Sequence, residues 1–289
     1  MEIIINDHIK AECFTTIFQN VKCFTELINI SFTEEGLSFQ TMDNSHVSIV
    51  ELTIPKEWFS QYTCSQNIVL GINVSIIHKI LAFKEKTHIL KIVYEESADT
   101  LEIHFLNMEE EPEKKKEPEK KGEPEKKGKK AKKEKVVKNI EMKTYEKHFE
   151  IPLVEMEMER MEIPEIEYEA EFSLASTNFS NIVSQLKLFG DTMEIQCSEQ
   201  QIILYAHSTE SGKMSVEISV DDLTEFSINE GQELKLSFSL VYLNHICGFN
   251  RLTKDIDIKI CREYPLCAIY NLSEGATMRF YLAPKIEDE

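Results

Sequence analysis

FTTIFQNV, beginning at Phe14, and FSNIVSQL, beginning at Phe179, stand 165 residues apart and place apolar residues at the same helical spacing (Phe14, Ile17, Phe18, Val21; Phe179, Ile182, Val183, Leu186). At the same offset INISFTEEGLSFQTMD, from Ile28, lies over MEIQCSEQQIILYAHS, from Met193. Both alternate apolar and polar residues around a turn-like interruption, as a half-buried hairpin does. A second helical pattern follows in each half, NVSIIHKILAF from Asn73 and SLVYLNHICGF from Ser239. Alternating strands come next, HILKIVYEES and TLEIHFLN in the first half, IDIKICREY and TMRFYLAP in the second. The repeat predicts two copies of one α+β domain, with antiparallel sheets and helices packed on one face.

Between the halves lies LVEMEMERMEIPEIEYE, where apolar residues alternate with acids around a single proline. It reads as an extended strap on a surface. The expected division is a first domain over residues 1–152, the connector over 153–170 and a second domain over 171–289.

A lysine-rich tract, EEEPEKKKEPEKKGEPEKKGKKAKKEK, interrupts the first copy before its last strand, YEKHFEIP. It is therefore expected as an insertion in a hairpin loop, roughly 108–142, where added length costs little. The proline-punctuated EPEKK repeats predict a disordered tether. Its basic end (Lys129, Lys130, Lys132, Lys133, Lys135) is a candidate DNA arm, with nuclear import or a solubilising spacer as alternatives. Between residues 109 and 138, thirteen lysines and nine glutamates give a local charge of +4; taken from the total of −19, this leaves −23 for the rest. A body that acidic does not bind DNA by general attraction, so any contact requires segregated charge.

The remaining features argue against catalysis. STESGKMS resembles the end of a phosphate-binding loop, but His207 stands where glycine is required and Met214 where Ser or Thr is. The eight histidines form no H-x-x-x-H or H-E-x-x-H pattern, and the seven cysteines (Cys13, Cys23, Cys64, Cys197, Cys247, Cys261, Cys267) form no C-x-x-C pair. His78 and His245 occupy matching places in the repeat, which favours a structural role. No enzyme activity, metal or cofactor is expected. Neither a membrane-spanning stretch nor a secretory signal is read, so a soluble intracellular protein is expected.

Several segments, in order, resemble one family. QTMDNSHVSIVELTI from Gln40, LGINVSIIHKIL from Leu70, SADTLEIHF from Ser97, EIPEIEY from Glu162, YLNHICGF from Tyr242, YPLCAIYNL from Tyr264 and YLAPKIEDE from Tyr281 are similar to segments of proliferating cell nuclear antigen (PCNA), the eukaryotic DNA sliding clamp. The likeness covers the chain outside residues 108–142. It implies the DNA clamp fold: two tandem domains, helices lining a hole and antiparallel sheets outside, closing head-to-tail into a pseudo-sixfold homotrimeric ring.

The resemblance implies a processivity factor that encircles duplex DNA without reading sequence. It would tether DNA polymerase and other PIP-box proteins, with a clamp loader as a candidate partner. The implied subunit edges are KHFEIP and ESGKMSVEIS, with Phe149, Ile151, Met214 and Val216 as the apolar contacts. The implied docking pocket is Met42, His46, Val47, Met161, Ile163, Pro265, Tyr281, Ala283 and Pro284. The basic residues of the inner face would be Lys22, Lys79, Lys84, Lys187, Arg251 and Lys254, since Thr15, Thr16, Ala82, Asn181, Ser184 and Gly248 stand where relatives carry others.

Glu199 and Glu162 replace lysines that are modified in relatives, so that control point is expected to be absent or moved to another lysine. The alternative function is a clamp-fold subunit of a heterotrimeric checkpoint-type ring, or a transcription or repair platform. A Lys-, Ile- and Asn-rich vocabulary points to an AT-rich genome, that of a large DNA virus or a protist. The expected location is the nucleus, or a cytoplasmic replication factory if viral.

Overall fold

The computed structural model describes residues 1–107, 144–157 and 161–285. The lysine-rich tract, with Lys129 to Lys135, lies outside the described residues. The first half runs β1 (Glu2–Ile5), α1 (His8–Val21), β2 (Leu27–Thr33), β3 (Gly36–Met42), β4 (Ser48–Pro55), β5 (Gln61–Thr63), β6 (Ile68–Asn73), α2 (Val74–Leu81), β7 (His88–Val93), β8 (Thr100–Asn107) and β9 (Lys147–Pro152). The second repeats it: β10 (Ala170–Ala175), α3 (Ser176–Leu186), β11 (Thr192–Cys197), β12 (Gln201–Ser208), β13 (Gly212–Ser219), β14 (Glu225–Ile228), β15 (Leu234–Ser239), α4 (Leu240–Cys247), β16 (Asp255–Ile260), β17 (Leu266–Asn271) and β18 (Thr277–Leu282). The helices and hairpins fall where the periodicity predicts them. Strands β1, β4, β5, β6, β10, β13, β14, β15 and β17 are additions that the alternation alone did not mark.

Local chemistry sets the helix starts in the first half. Asp7 caps α1 by accepting from the backbone N–H of Ile9 (2.7 Å) and Lys10 (3.2 Å), and Asn73 caps α2 through the N–H of Ile76 (3.1 Å). Each helix buries its apolar stripe: Phe14, Ile17, Phe18 and Val21 on α1, and Phe179, Val183 and Leu186 on α3. Phe14 packs on Phe18 at 4.9 Å, and Phe18 reaches Phe39 of β3 at 6.3 Å. The polar sides of the helices are left toward solvent.

Sheet topology shows what the repeat builds. The first half forms a five-stranded sheet, β5-β1-β7-β8-β9, and a four-stranded array β6-β2-β3-β4; the second forms β14-β10-β16-β17-β18 and β15-β11-β12-β13. β4 of the first half then pairs antiparallel with β18 of the second, from Ser48↔Leu282 to Thr53↔Thr277. That pairing fuses two arrays into a nine-stranded sheet across the domain boundary. The equivalent strands, β9 in the first half and β13 in the second, are sheet edges. β8 and β9 flank the lysine-rich tract and pair from Thr100↔Pro152 to Phe105↔Lys147, so the tract does interrupt a hairpin of the first domain.

The domain junction is aromatic inside and polar at its rim. Phe24, just past α1, packs against Phe280 of β18 at 5.7 Å, His245 of α4 at 5.8 Å and Phe249 at 6.4 Å. A Cβ on Gly248 would meet Asn20 Oδ1 at 3.1 Å, so α4 ends close against α1. With α1 packed on α2 and α3 on α4, the helices form one row, α2-α1-α4-α3.

Candidate functional site

The connector is held to the sheets by backbone and amide hydrogen bonds. Val154 donates its N–H to Gly71 O on the edge strand β6 (2.9 Å). The approach is so close that a Cβ at Gly71 would fall 1.9 Å from Val154 O, so only glycine fits there. Farther along, the Gln40 side chain grips Met161 at both backbone groups: its Nε2 donates to Met161 O (3.1 Å) and its Oε1 accepts from Met161 N (2.8 Å).

Beyond that clasp, Met161, Ile163, Ile166 and Tyr168 are partly buried while Glu162, Pro164, Glu165 and Glu167 are exposed. The alternation read in the sequence therefore turns the apolar residues toward the sheet. Replacing Gln40 by Ala leaves the Met161 N–H and C=O unpaired, a local loss of about 1–3 kcal/mol. Amide hydrogen exchange at Met161 is expected to speed up by about tenfold or more, with the global unfolding midpoint nearly unchanged.

Beneath the strap lies a cavity of about 1220 Å³, lined by Met161, Ile163, Ile166 and Tyr168 above and by Gln40, Glu51, Lys259, Arg279 and Tyr281 of the sheet below. Burial, and after it neighbouring Cys267 and Glu51, pushes the Tyr281 hydroxyl up to about 12, so it stays protonated. Three of the nine pocket residues named from the sequence (Met161, Ile163, Tyr281) line this cavity. The other six gather at its end around the β3–β4 turn. There Val47 O accepts from Ala283 N at 3.0 Å, Met42 Sδ lies 2.8 Å from His46 Nδ1, and Pro265 and Pro284 flank the paired ends Leu266↔Leu282.

The turn that presents His46 and Val47 is organised by Asp43, which the sequence reading passed over. Its carboxylate accepts from the N–H of Ser45 (2.8 Å), Val47 (2.9 Å) and Ser48 (2.5 Å), from Ser48 Oγ (3.0 Å), and from the Tyr242 hydroxyl of α4 (2.8 Å). Burial pushes this acid up, but the donors of Ser48, Tyr242 and Ser45 outweigh it and hold the carboxyl below the usual range. His46 adopts a positive φ of 57°, as the tight turn demands. The D-N-S order after Met42 is the available sequence signal, an Asx-type turn; its partner 199 residues away is not.

The row of helices is nearly free of acid. Of fifty-one Asp and Glu in the chain, the four helices carry one, Glu12. Their exposed positions are mostly neutral and polar, among them Gln19, Asn178, Asn181, Ser184 and Gln185. The predicted cations cluster at helix C-termini: Lys22 and Lys187 cap α1 and α3, Lys79 is in the last turn of α2, and Arg251 and Lys254 follow α4. Lys84 differs from the rest. It is half-buried, its ammonium donates to Glu85 O (3.1 Å), and burial lowers its pKa against the pull of Glu12.

Of the four residues expected at subunit edges, Phe149, Met214 and Val216 are partly exposed on β9 and β13. Ile151 is fully buried in the core of its own chain, paired with Leu101, so its side chain has no face to offer a neighbour. The resemblance named it with Phe149; both lie on one face of the edge strand β9, but Ile151 is packed into the core while Phe149 stays partly exposed.

Two family profiles match in tandem. The proliferating cell nuclear antigen N-terminal domain matches residues 7–120, and its C-terminal domain matches residues 162–285. The chain belongs to the PCNA family. It has the sliding-clamp fold, α+β with two tandem clamp domains. PCNA-family clamps are non-enzymatic scaffolds that serve DNA replication and repair.

Proposed function

We propose that this PCNA-family chain is a homotrimeric processivity clamp: it encircles duplex DNA and tethers polymerases and other PIP-box proteins in the groove under its strap. The observation that carries the reading is the quasi-equivalence of the two junctions. β4 and β18 are joined within the chain, while their counterparts β13 and β9 are edges on opposite halves. Bare edges are liabilities unless paired. Joining β13 of one copy to β9 of the next repeats the internal junction and leaves no strand of this set unpaired, a heterologous contact that can close into a ring.

The internal junction supplies a register for the external one. The hairpin pairings Gly36↔Pro55 and Gln201↔Ser219 equate Val50 with Met214 and Ile49 with Lys213. Leu266↔Leu282 and Leu101↔Ile151, all buried, equate Phe280 with Phe149 and Tyr281 with Glu150. Since Phe280 faces Val50 and Tyr281 faces Ile49, Phe149 is expected opposite Met214 and Glu150 opposite Lys213 of the next copy. Phe83, 57% exposed beside Phe149, and Leu188, 72% exposed just beyond α3, provide apolar surface for the same contact.

A row of helices with one acid makes a neutral-to-basic lining for a hole in an otherwise acidic protein. Retention would then be topological, with phosphate contacts weak enough to permit sliding. The test is retention on nicked circular DNA before and after linearisation, together with the mass in solution. A trimer of the 33.5 kDa chain that is shed at least about tenfold faster from the linear form is expected. Equal, salt-sensitive binding to both forms would mean plain charge attraction. A monomer that assembles only with a different clamp subunit would instead favour the heterotrimeric checkpoint-type ring.

A further inference from the structure

On the solvent face of the five-stranded sheet, His104 of β8 and His148 of β9 stand directly opposite each other in the antiparallel register. Their Nδ1 atoms are 2.9 Å apart, with ring centroids at 5.0 Å. The other ring nitrogen of His104, Nε2, lies 3.0 Å from Glu102 Oε2. Glu102 in turn pairs in register with Glu150, so two imidazoles and two carboxylates share one patch of one face. Lys91, opposite His104 on the other side, is engaged by Glu2 at 3.1 Å, which offsets its charge. The docking groove does not use this cluster, and of its residues only Glu150 enters the proposed contact between copies.

We propose that this pair is a binding site for a divalent transition-metal ion of the zinc class, held between the two Nδ1 atoms. Imidazole nitrogens suit such ions, and a carboxylate on the far nitrogen is the usual way a ligating ring is oriented. Two nitrogens bound at about 2.0–2.1 Å to a tetrahedral ion lie about 3.3–3.4 Å apart. Small rotations of the two rings open the present separation to that value.

Without metal, His104 donates Nε2–H to Glu102 and its Nδ1 accepts from His148 Nδ1–H. Binding moves the His148 proton from Nδ1 to Nε2, so both Nδ1 lone pairs face the ion and no net proton is released. Water completes the coordination, and Glu102 and Glu150 offset the charge of the ion. The site joins the edge strand to its neighbour by a second kind of bond.

The experiment is calorimetric titration of the full chain with zinc chloride, with magnesium chloride as the hard-cation control. One zinc per chain and no magnesium binding are expected. His148→Ala, His104→Ala and the double variant, each verified as folded by circular dichroism, should weaken zinc binding at least about tenfold. Glu102→Gln should weaken it less. Nitrogen-15 spectra should show the His148 Nε2–H tautomer appearing with zinc. Zinc binding of unchanged stoichiometry and affinity in the folded double variant would overturn the proposal, as would magnesium binding equal to that of zinc.

Discussion

Met214→Glu is expected to convert the assembly to monomers at micromolar concentration while leaving the subunit folded. Met214 is partly exposed on the edge strand β13, so a carboxylate there is hydrated in the isolated chain. In the joined register it would face Phe149, beside Phe83, with no cation opposite. Desolvating an unpaired charge costs several kcal/mol, about a hundredfold or more in association at each junction. Sedimentation or light scattering reads the mass, and circular dichroism controls for folding.

A finer test concerns the register itself. Lys213→Glu sets like charges opposite at Glu150 and should weaken assembly; adding Glu150→Lys should restore it, with a coupling of about 0.2–1 kcal/mol. Trimers that ignore Met214→Glu would reject the edge pairing. A Lys213→Glu defect without rescue would reject only the alignment of residues.

Asp43→Ala is expected to lower stability by about 2–4 kcal/mol, or about 5–15 °C in Tm. It should also weaken docking of a PIP-box peptide by tenfold or more. The substitution strands the N–H groups of Ser45, Val47 and Ser48 and removes the Tyr242 tie between the domains. Tyr242→Phe deletes the tie alone and should cost about 1 kcal/mol, with docking affected only a few-fold. Asp43→Asn should fall between, since an amide brings a donor toward a nest of donors.

The same carboxylate predicts a pH dependence. Its pKa is held below the ordinary value of about 3.9, so the folded chain binds that proton less tightly than the unfolded one. Its contribution is therefore complete above about pH 4 and lost as pH falls through the folded-state value. Urea midpoints of the parent and Asp43→Ala should converge at the acid end. If they stay parallel from neutral pH to pH 3, the hydrogen-bond account of Asp43 is wrong.

Two imidazoles carry an unpaired nitrogen on the second helix of each half. His78 Nδ1 and His245 Nδ1 are buried without a hydrogen-bond partner, but they are not counterparts: His78 is fifth in α2 and His245 sixth in α4, so the repeat sets Asn244 on His78. Burial lowers both pKa values, with Lys22 and Lys79 adding to it at His78 and Lys187 at His245. His245 packs on the Phe24 ring at the domain junction, a structural role that rests on this contact and not on the repeat.

The duplication, its helices and hairpins, the alternating strap and the inserted tract were all legible in the chain, because each is a local pattern: spacing of 3.6 or 2 along a segment, or a break in composition. The family was legible too, since its motifs lie in contiguous stretches. What only the tertiary structure decided is which of these residues meet. Gln40 finds Met161 across 121 positions and Asp43 finds Tyr242 across 199, distances over which no periodicity carries information. Ile151 and Phe149 share a strand and a phase, yet only packing makes one core and the other edge. The fusion of β4 to β18, which leaves β9 and β13 as edges, is likewise a property of how two copies of a domain dock, and no single segment encodes it.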